Sequence, residues 1–182
     1  MSTRTLAQRV VTLDHALARV PHAFGGAIAL AYYAEPRATI DIDLNVFVGV
    51  ERYDVVARRL TPLGVALDDA SVAELARRDG QVRVMWDETP IDLFFAYDAF
   101  HEAAAAARQR VPFADTTTPI LSAAHLMVCK VVFNRPRDWV DIDAMLGYDE
   151  PLDVAEVMRW VGRVAGDRDP RYERIAALLM RR

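Results

Sequence analysis

The sequence predicts an α/β (α+β) fold: a small mixed, mainly antiparallel sheet flanked by helices, with a C-terminal helical bundle. Three observations predict it. Over Thr39–Phe47, the apolar Ile40, Ile42, Leu44 and Val46 alternate with Thr39, Asp41, Asp43 and Asn45, the period of a half-buried strand. The stretch 81–95 holds two more short strand patterns around the turn Asp87-Glu88-Thr89-Pro90, which together read as a hairpin. From Ser122 onward the apolar runs take helical spacing.

Residues 4–19 place Leu6, Val10, Val11, Leu13 and Leu17 three or four apart, an amphipathic helix stopped by Pro21. His22-Ala23-Phe24 is a short strand, Gly25-Gly26 a turn, and 27–33 a helix ending near Pro36. After the Thr39–Phe47 strand, 51–60 is helical and closes at Pro62-Leu63-Gly64, and Val65–Leu67 reads as a short strand. Ser71 is placed to cap the next helix, with Glu74 in the capping-box position and Asp79-Gly80 at the end. The hairpin follows, then an alanine-rich helix over 98–109. Residues 111–120, with Pro112, Pro119 and three Thr, read as a connector between a core of residues 1–115 and a helical region of residues 116–182 packed on it. One continuous domain fits the same pattern. Helices follow over 122–133, from Pro136 to Gly147, from Asp153 to about 164, and over 171–182.

With 182 residues, 53% of them hydrophobic and 26% charged, the chain has the composition of one folded domain, with or without a helical appendage. The net charge of −4 argues against nonspecific coating of nucleic acid and leaves room for a local basic patch. Cys129, the single cysteine, lies in an apolar run and reads as a core residue, so neither a disulfide nor a cysteine zinc site is expected. His15, His22, His101 and His125 lack zinc spacing, and Trp139 and Trp160 read as helix-packing anchors. Met1-Ser2-Thr3-Arg4 opens no signal peptide and no apolar run is long enough to span a membrane, so a cytoplasmic protein is expected.

The chemistry gathers at the Asp-x-Asp strand. Asp41 and Asp43, two apart on a strand and roughly 7 Å between Cα atoms, leave the same face. Two like charges so placed resist ionisation until a cation sits between them, and a hard divalent ion such as Mg²⁺ suits oxygen ligands. A solvent face that carries two Asp has the same spacing. Gly25-Gly26 permits a tight turn and close approach to the backbone, and a following helix points N–H groups at that turn; a plain strand–helix turn has the same residues. A phosphate seat beside a metal seat is what a nucleoside triphosphate with Mg²⁺ needs. Asp92 is a lone carboxylate in an apolar strand and, if that strand lies beside the first, joins Asp41 and Asp43 in a two-metal frame. Lys130 lies in an apolar helix, where it either snorkels to the surface or serves an anion. Asp138 and Asp141 share one helix face, and an acidic first turn is also ordinary dipole complementation.

Gly25-Gly26-Ala27-Ile28-Ala29-Leu30, followed by Arg37-Ala38-Thr39-Ile40-Asp41-Ile42-Asp43-Leu44, resembles the opening motif of the polymerase-β-type nucleotidyltransferase superfamily, nearest to its AbiEii-like branch. That branch includes nucleotidyltransferase toxins of toxin–antitoxin systems. Lys130 with Arg137-Asp138-Trp139-Val140-Asp141-Ile142 resembles the branch's second signature, and the likeness spans residues 22–147. The resemblance implies the nucleotidyltransferase fold. It implies that Gly25 and Gly26 hold the triphosphate with Arg37 and Thr39 beside them, that Asp41 and Asp43 hold Mg²⁺, and that Asp92 is a metal ligand or base. It further implies that Lys130 neutralises phosphate and that Asp138 or Asp141 orders the site. Many superfamily members carry Gly-Ser where this chain has Gly-Gly, so a backbone N–H stands in for the hydroxyl. The expected activity is Mg²⁺-dependent transfer of NMP from an NTP to a hydroxyl acceptor, a tRNA or another macromolecule, with a cognate antitoxin as protein partner. Two alternatives are a small-molecule nucleotidyltransferase of the aminoglycoside or lincosamide type and an inactive nucleotide-binding or regulatory module.

Overall fold

A computed structural model of the chain describes residues 4–149 and 151–181. The expectations at Met1-Ser2-Thr3 and at Arg182 lie outside the described residues. Among the described residues, six strands form one sheet in the order β3-β4-β2-β1-β6-β5. The strands are β1 (His22–Phe24), β2 (Ile42–Gly49), β3 (Gln81–Trp86), β4 (Thr89–Ala96), β5 (Gln109–Phe113) and β6 (Thr116–Ile120). The pairs β1–β2, β3–β4 and β5–β6 run antiparallel; β2–β4 and β1–β6 run parallel, so the sheet is mixed as expected. Helices α1 (Leu6–Ala16), α2 (Gly26–Leu30), α3 (Tyr53–Leu60), α4 (Ala70–Asp79) and α5 (Ala99–Ala107) belong to the sheet half of the sequence. Helices α6 (Ala123–Phe133), α7 (Pro136–Leu146), α8 (Val154–Val164) and α9 (Pro170–Leu179) follow it.

Strand β2 buries Ile42, Leu44, Val46 and Val48 on one face and half-exposes Asp43, Asn45 and Phe47 on the other. Ile40 stands outside this alternation: it is 73% exposed, because the strand starts at Ile42 and Asp41 belongs to the turn before it. Helix α6 starts at Ser122, whose side chain accepts from the His125 N–H, and ends at Asn134 in the left-handed region. It packs against α2, α7, α8 and α9, so it joins the sheet region to the C-terminal helices. Its one-sided pattern is weak because most of its surface is covered, which is how Lys130 comes to be 4% exposed.

Several local expectations are corrected. Residues 109–120 are a hairpin, and β6 continues the sheet alongside β1; the expected connector at 111–120 is therefore sheet, and the expected boundary at 115/116 falls at the hairpin turn. Pro112 is accommodated because β5 is an edge strand. Asp69, not Ser71, caps α4, accepting from the Ser71 N–H at 2.7 Å. Val65 makes only an isolated bridge to Trp86. Helix α2 is a five-residue helix, shorter than the sequence suggests.

Candidate active site

The parallel pairing of β2 with β4 sets Asp43 directly opposite Asp92. This register answers the question left open by spacing: Asp92 does lie beside the Asp-x-Asp segment. Asp41 reaches the same place from the preceding turn, where its N–H donates to Thr39 Oγ1 at 3.2 Å. Thr39 therefore shapes the turn that carries Asp41.

Gly25 and Gly26 face Asp43. The Gly25 N–H donates to the Asp43 carbonyl at 2.9 Å. Gly26 has φ +50°, and a Cβ on it would fall 1.7 Å from Asp43 Oδ2. The second glycine is thus required twice over, by a left-handed backbone and by a carboxylate in the space a side chain would fill. Burial, followed by the charges of Asp92 and Asp41, pushes the Asp43 carboxyl above its ordinary range; Arg135 and Lys130 act against this.

Sequence reasoning missed Arg83. It lies opposite Asp92 across β3–β4. Its Nε donates to Asp92 Oδ1 at 2.7 Å and its Nη2 to Oδ2 at 2.6 Å, while Nη2 also lies 3.5 Å from Asp41 Oδ2. The turn at Asp87-Glu88 pairs Trp86 with Thr89, and counting outward pairs Arg83 with Asp92, so the hairpin register held the signal.

A second cluster sits on α6 and α7. Lys130 Nζ donates to Asp141 Oδ2 at 2.6 Å, and Arg37 grips both Asp141 oxygens through Nε and Nη2 at 3.0 Å each. Burial pushes the Asp141 carboxyl up, but the bonds from Arg37 and Lys130 outweigh it and hold the group below its ordinary range. Asp141, rather than Asp138, is therefore the partner of Lys130 and Arg37. Asp138 caps α7: it accepts from the Arg135 N–H at 3.0 Å and pairs with that residue's guanidinium at 2.7 Å. Arg135, the other missed residue, projects its charge toward Asp43 and Asp92.

Asp43 lines two cavities. One, about 440 Å³, adds Arg83, Asp92, Phe133 and Arg135. The other, about 280 Å³, adds Gly25, Gly26, Phe94, Tyr97 and Phe133. The first brings charged groups to the carboxylates; the second offers aromatic rings beside the glycine turn. Among the described residues, no group of three or more His, Cys, Asp or Glu side chains is already gathered as a metal cage. The donor chemistry nevertheless fits a hard cation: three carboxylates converge on one region, and Asp43 resists ionisation through burial and then through the charges of Asp92 and Asp41.

The family described as "Nucleotidyl transferase AbiEii toxin, Type IV TA system" matches residues 10–181. No curated protein matches the sequence. Among solved structures, the solution structure of the antibiotic-resistance factor ANT(2'')-Ia superposes with TM-score 0.55 at 17% identity, covering 96% of this chain and 91% of that one. The crystal structure of ANT(2'')-Ia in complex with adenylyl-2''-tobramycin gives TM-score 0.56 at 17% identity, covering 98% and 99%. At that identity the likeness is one of fold.

Proposed function

The chain belongs to the AbiEii nucleotidyl transferase toxin family, and from that premise we propose that it moves NMP from an Mg²⁺-bound NTP to a hydroxyl of tRNA or another cellular macromolecule. A cognate antitoxin is the protein partner this reading entails, and the cytoplasm is the compartment where NTP and tRNA meet. Among the described residues, no helix is long and apolar enough to cross a membrane.

The observation that carries the reading is the register of Asp43 with Asp92 on adjacent parallel strands, with Asp43 laid over the glycine turn. Asp41, Asp43 and Asp92 would hold the metal. Bound there, Mg²⁺ supplies Lewis-acid charge to the α-phosphate and to the departing pyrophosphate. Asp92, which lines the larger cavity, would take the proton of the acceptor hydroxyl once free of Arg83. Gly25 and Gly26 leave the backbone open to the triphosphate. Lys130 and Arg37, tied together by Asp141, stiffen the positive side of the site, and the Lys130 charge reaches Asp43. Asp138 orders Arg135 through the start of α7.

The test is incubation with each α-labelled NTP and total tRNA, with Asp43→Asn as control. Label on RNA that disappears with the variant supports the reading; no transfer to RNA removes tRNA as acceptor. A second reading, a small cationic antibiotic as acceptor, draws on the net charge of −4 and on Asp43, Asp79 and Asp92 around the larger cavity. It predicts labelled aminoglycoside when an aminoglycoside replaces the tRNA in that assay, and no growth arrest on expression. The toxin reading predicts arrest that Asp41→Ala relieves.

A further inference from the structure

We propose that Arg83 is an active-site residue of this nucleotidyltransferase: a resident counter-ion that holds Asp92 and Asp41 in the metal-free protein and leaves them when a divalent cation binds. The proposal rests on the reading that these carboxylates hold Mg²⁺.

The guanidinium engages both oxygens of Asp92, at 2.7 and 2.6 Å, in the planar two-point geometry that makes Arg–carboxylate pairs strong. The nitrogen that binds Asp92 Oδ2 also lies 3.5 Å from Asp41 Oδ2. One donor therefore spans two carboxylates on different segments, β4 and the turn before β2. An ordinary cross-strand ion pair joins two residues; this one bridges two members of the proposed metal set.

The other cations near the site act on the carboxylates only at a distance and make their direct bonds elsewhere. Arg135 is fastened to Asp138, and Lys130 and Arg37 to Asp141. Arg83 is 57% exposed and lines the larger cavity with Asp43 and Asp92. Its side chain can swing into solvent without opening the core, whereas Lys130, 4% exposed, cannot. Asp43 accepts no bond from Arg83, so the counter-ion serves two of the three carboxylates and leaves the third facing the glycine turn.

Metal binding is then an exchange of one cation for another. Repulsion between Asp92 and Asp41 stays neutralised before the metal arrives, and the metal must compete with the guanidinium for the same oxygens. Removing Arg83 removes the competitor, so the variant binds metal more tightly. Loss of a residue that merely supports the fold would leave affinity unchanged or weaken it.

The experiment titrates Mn²⁺ into the full chain at low salt, followed by electron paramagnetic resonance with Mg²⁺ as competitor, for wild type, Arg83→Gln and Arg83→Lys. The expected result is affinity about tenfold tighter for Arg83→Gln, and affinity near wild type for Arg83→Lys. A measurement on the wild-type chain guards against misfolded variants: the Arg83 Nε–H resonance, protected from exchange by Asp92, loses its protection on adding Mg²⁺. Equal or weaker binding by Arg83→Gln, or an Nε–H that Mg²⁺ leaves protected while the metal binds, overturns the counter-ion role and leaves the metal reading standing. Absence of metal binding by all three proteins, with and without NTP, overturns both, and Arg83 is then only a cross-strand pair.

Discussion

At Asp43, burial and two neighbouring carboxylates all oppose ionisation. Its folded-state pKa lies above the ordinary value of 3.8, so the folded chain holds this proton more tightly than the unfolded chain does. The resulting stability is fully present below 3.8 and is lost as pH rises through the raised value. Asp43→Asn is therefore expected to melt higher than wild type at neutral pH in the absence of divalent ions, with the difference shrinking on acidification. The same change is expected to cut transfer activity by about 100-fold or more, because the proposed reading makes Asp43 a direct metal ligand. Thermal melts from pH 4 to 8 and labelled-NTP assays check the two halves. Gly26→Ala tests the other side of this contact. The left-handed backbone alone costs about 1–2 kcal/mol for a residue with Cβ, and the new Cβ must also displace Asp43 Oδ2 from 1.7 Å. Both stability and activity should fall, whereas Gly147→Ala, with its nearest contact at 3.6 Å, should leave activity intact. From sequence alone, the glycine pair reads as a seat for a ligand; its packing against Asp43 depends on a contact across 17 residues that no local pattern encodes.

Helices α6 and α7 are tied by the Lys130–Asp141 pair, with both partners nearly buried and Arg37 reaching in from the segment before β2. Removing one side of a buried pair leaves the other charge without compensation, at about 3–5 kcal/mol. Asp141→Asn is expected to lose about that much in denaturant melts at pH 7. Because the Asp141 carboxyl is held below 3.8, its contribution is present above that pH and lost as pH falls through the lowered value, so wild type and variant should converge in strong acid. Arg37→Ala, a third exposed, should cost less. The sequence places Lys130, Asp138 and Asp141 on helices and leaves open which carboxylate matters. Helical phase decides only faces; the approach of Arg37 from the sheet side selects Asp141. The hairpin over 109–120 shows the opposite failure. Prolines at 112 and 119 read as breaks, yet an edge position tolerates one of them and the three consecutive Thr favour extended backbone.

Across the molecule, two buried histidines are expected to make the fold sensitive to acid. His22 bonds to the Val20 carbonyl at 2.8 Å and to Asp14 at 3.0 Å, and Arg110 reaches the other Asp14 oxygen, linking α1, β1 and β5. His125, on α6, faces α8, its Nδ1 against Ser122 Oγ and its Nε2 3.6 Å from Glu156. Burial, first among the causes, lowers both pKa values below 6.5. Their stability is present above 6.5 and is lost as pH falls through the lowered values. Thermal stability is expected to drop as pH falls below about 6.5, and Asp43 acts in the reverse sense. A chain carrying His125→Gln should show a flatter profile over that window; an unchanged slope would assign the acid sensitivity elsewhere.

By itself the sequence determined the mixed sheet with its C-terminal helices, the strand that carries Asp43, the hairpin that carries Asp92, and the family. These follow from periodicity and short motifs, which are local. Tertiary structure alone decided that Asp43 faces Asp92 across parallel strands, that Arg83 reaches past Asp92 to Asp41, that Lys130 belongs to Asp141, and that 109–120 extends the sheet. Each of these is a contact between separate elements, and its energy depends on burial and charge that exist only after the elements meet.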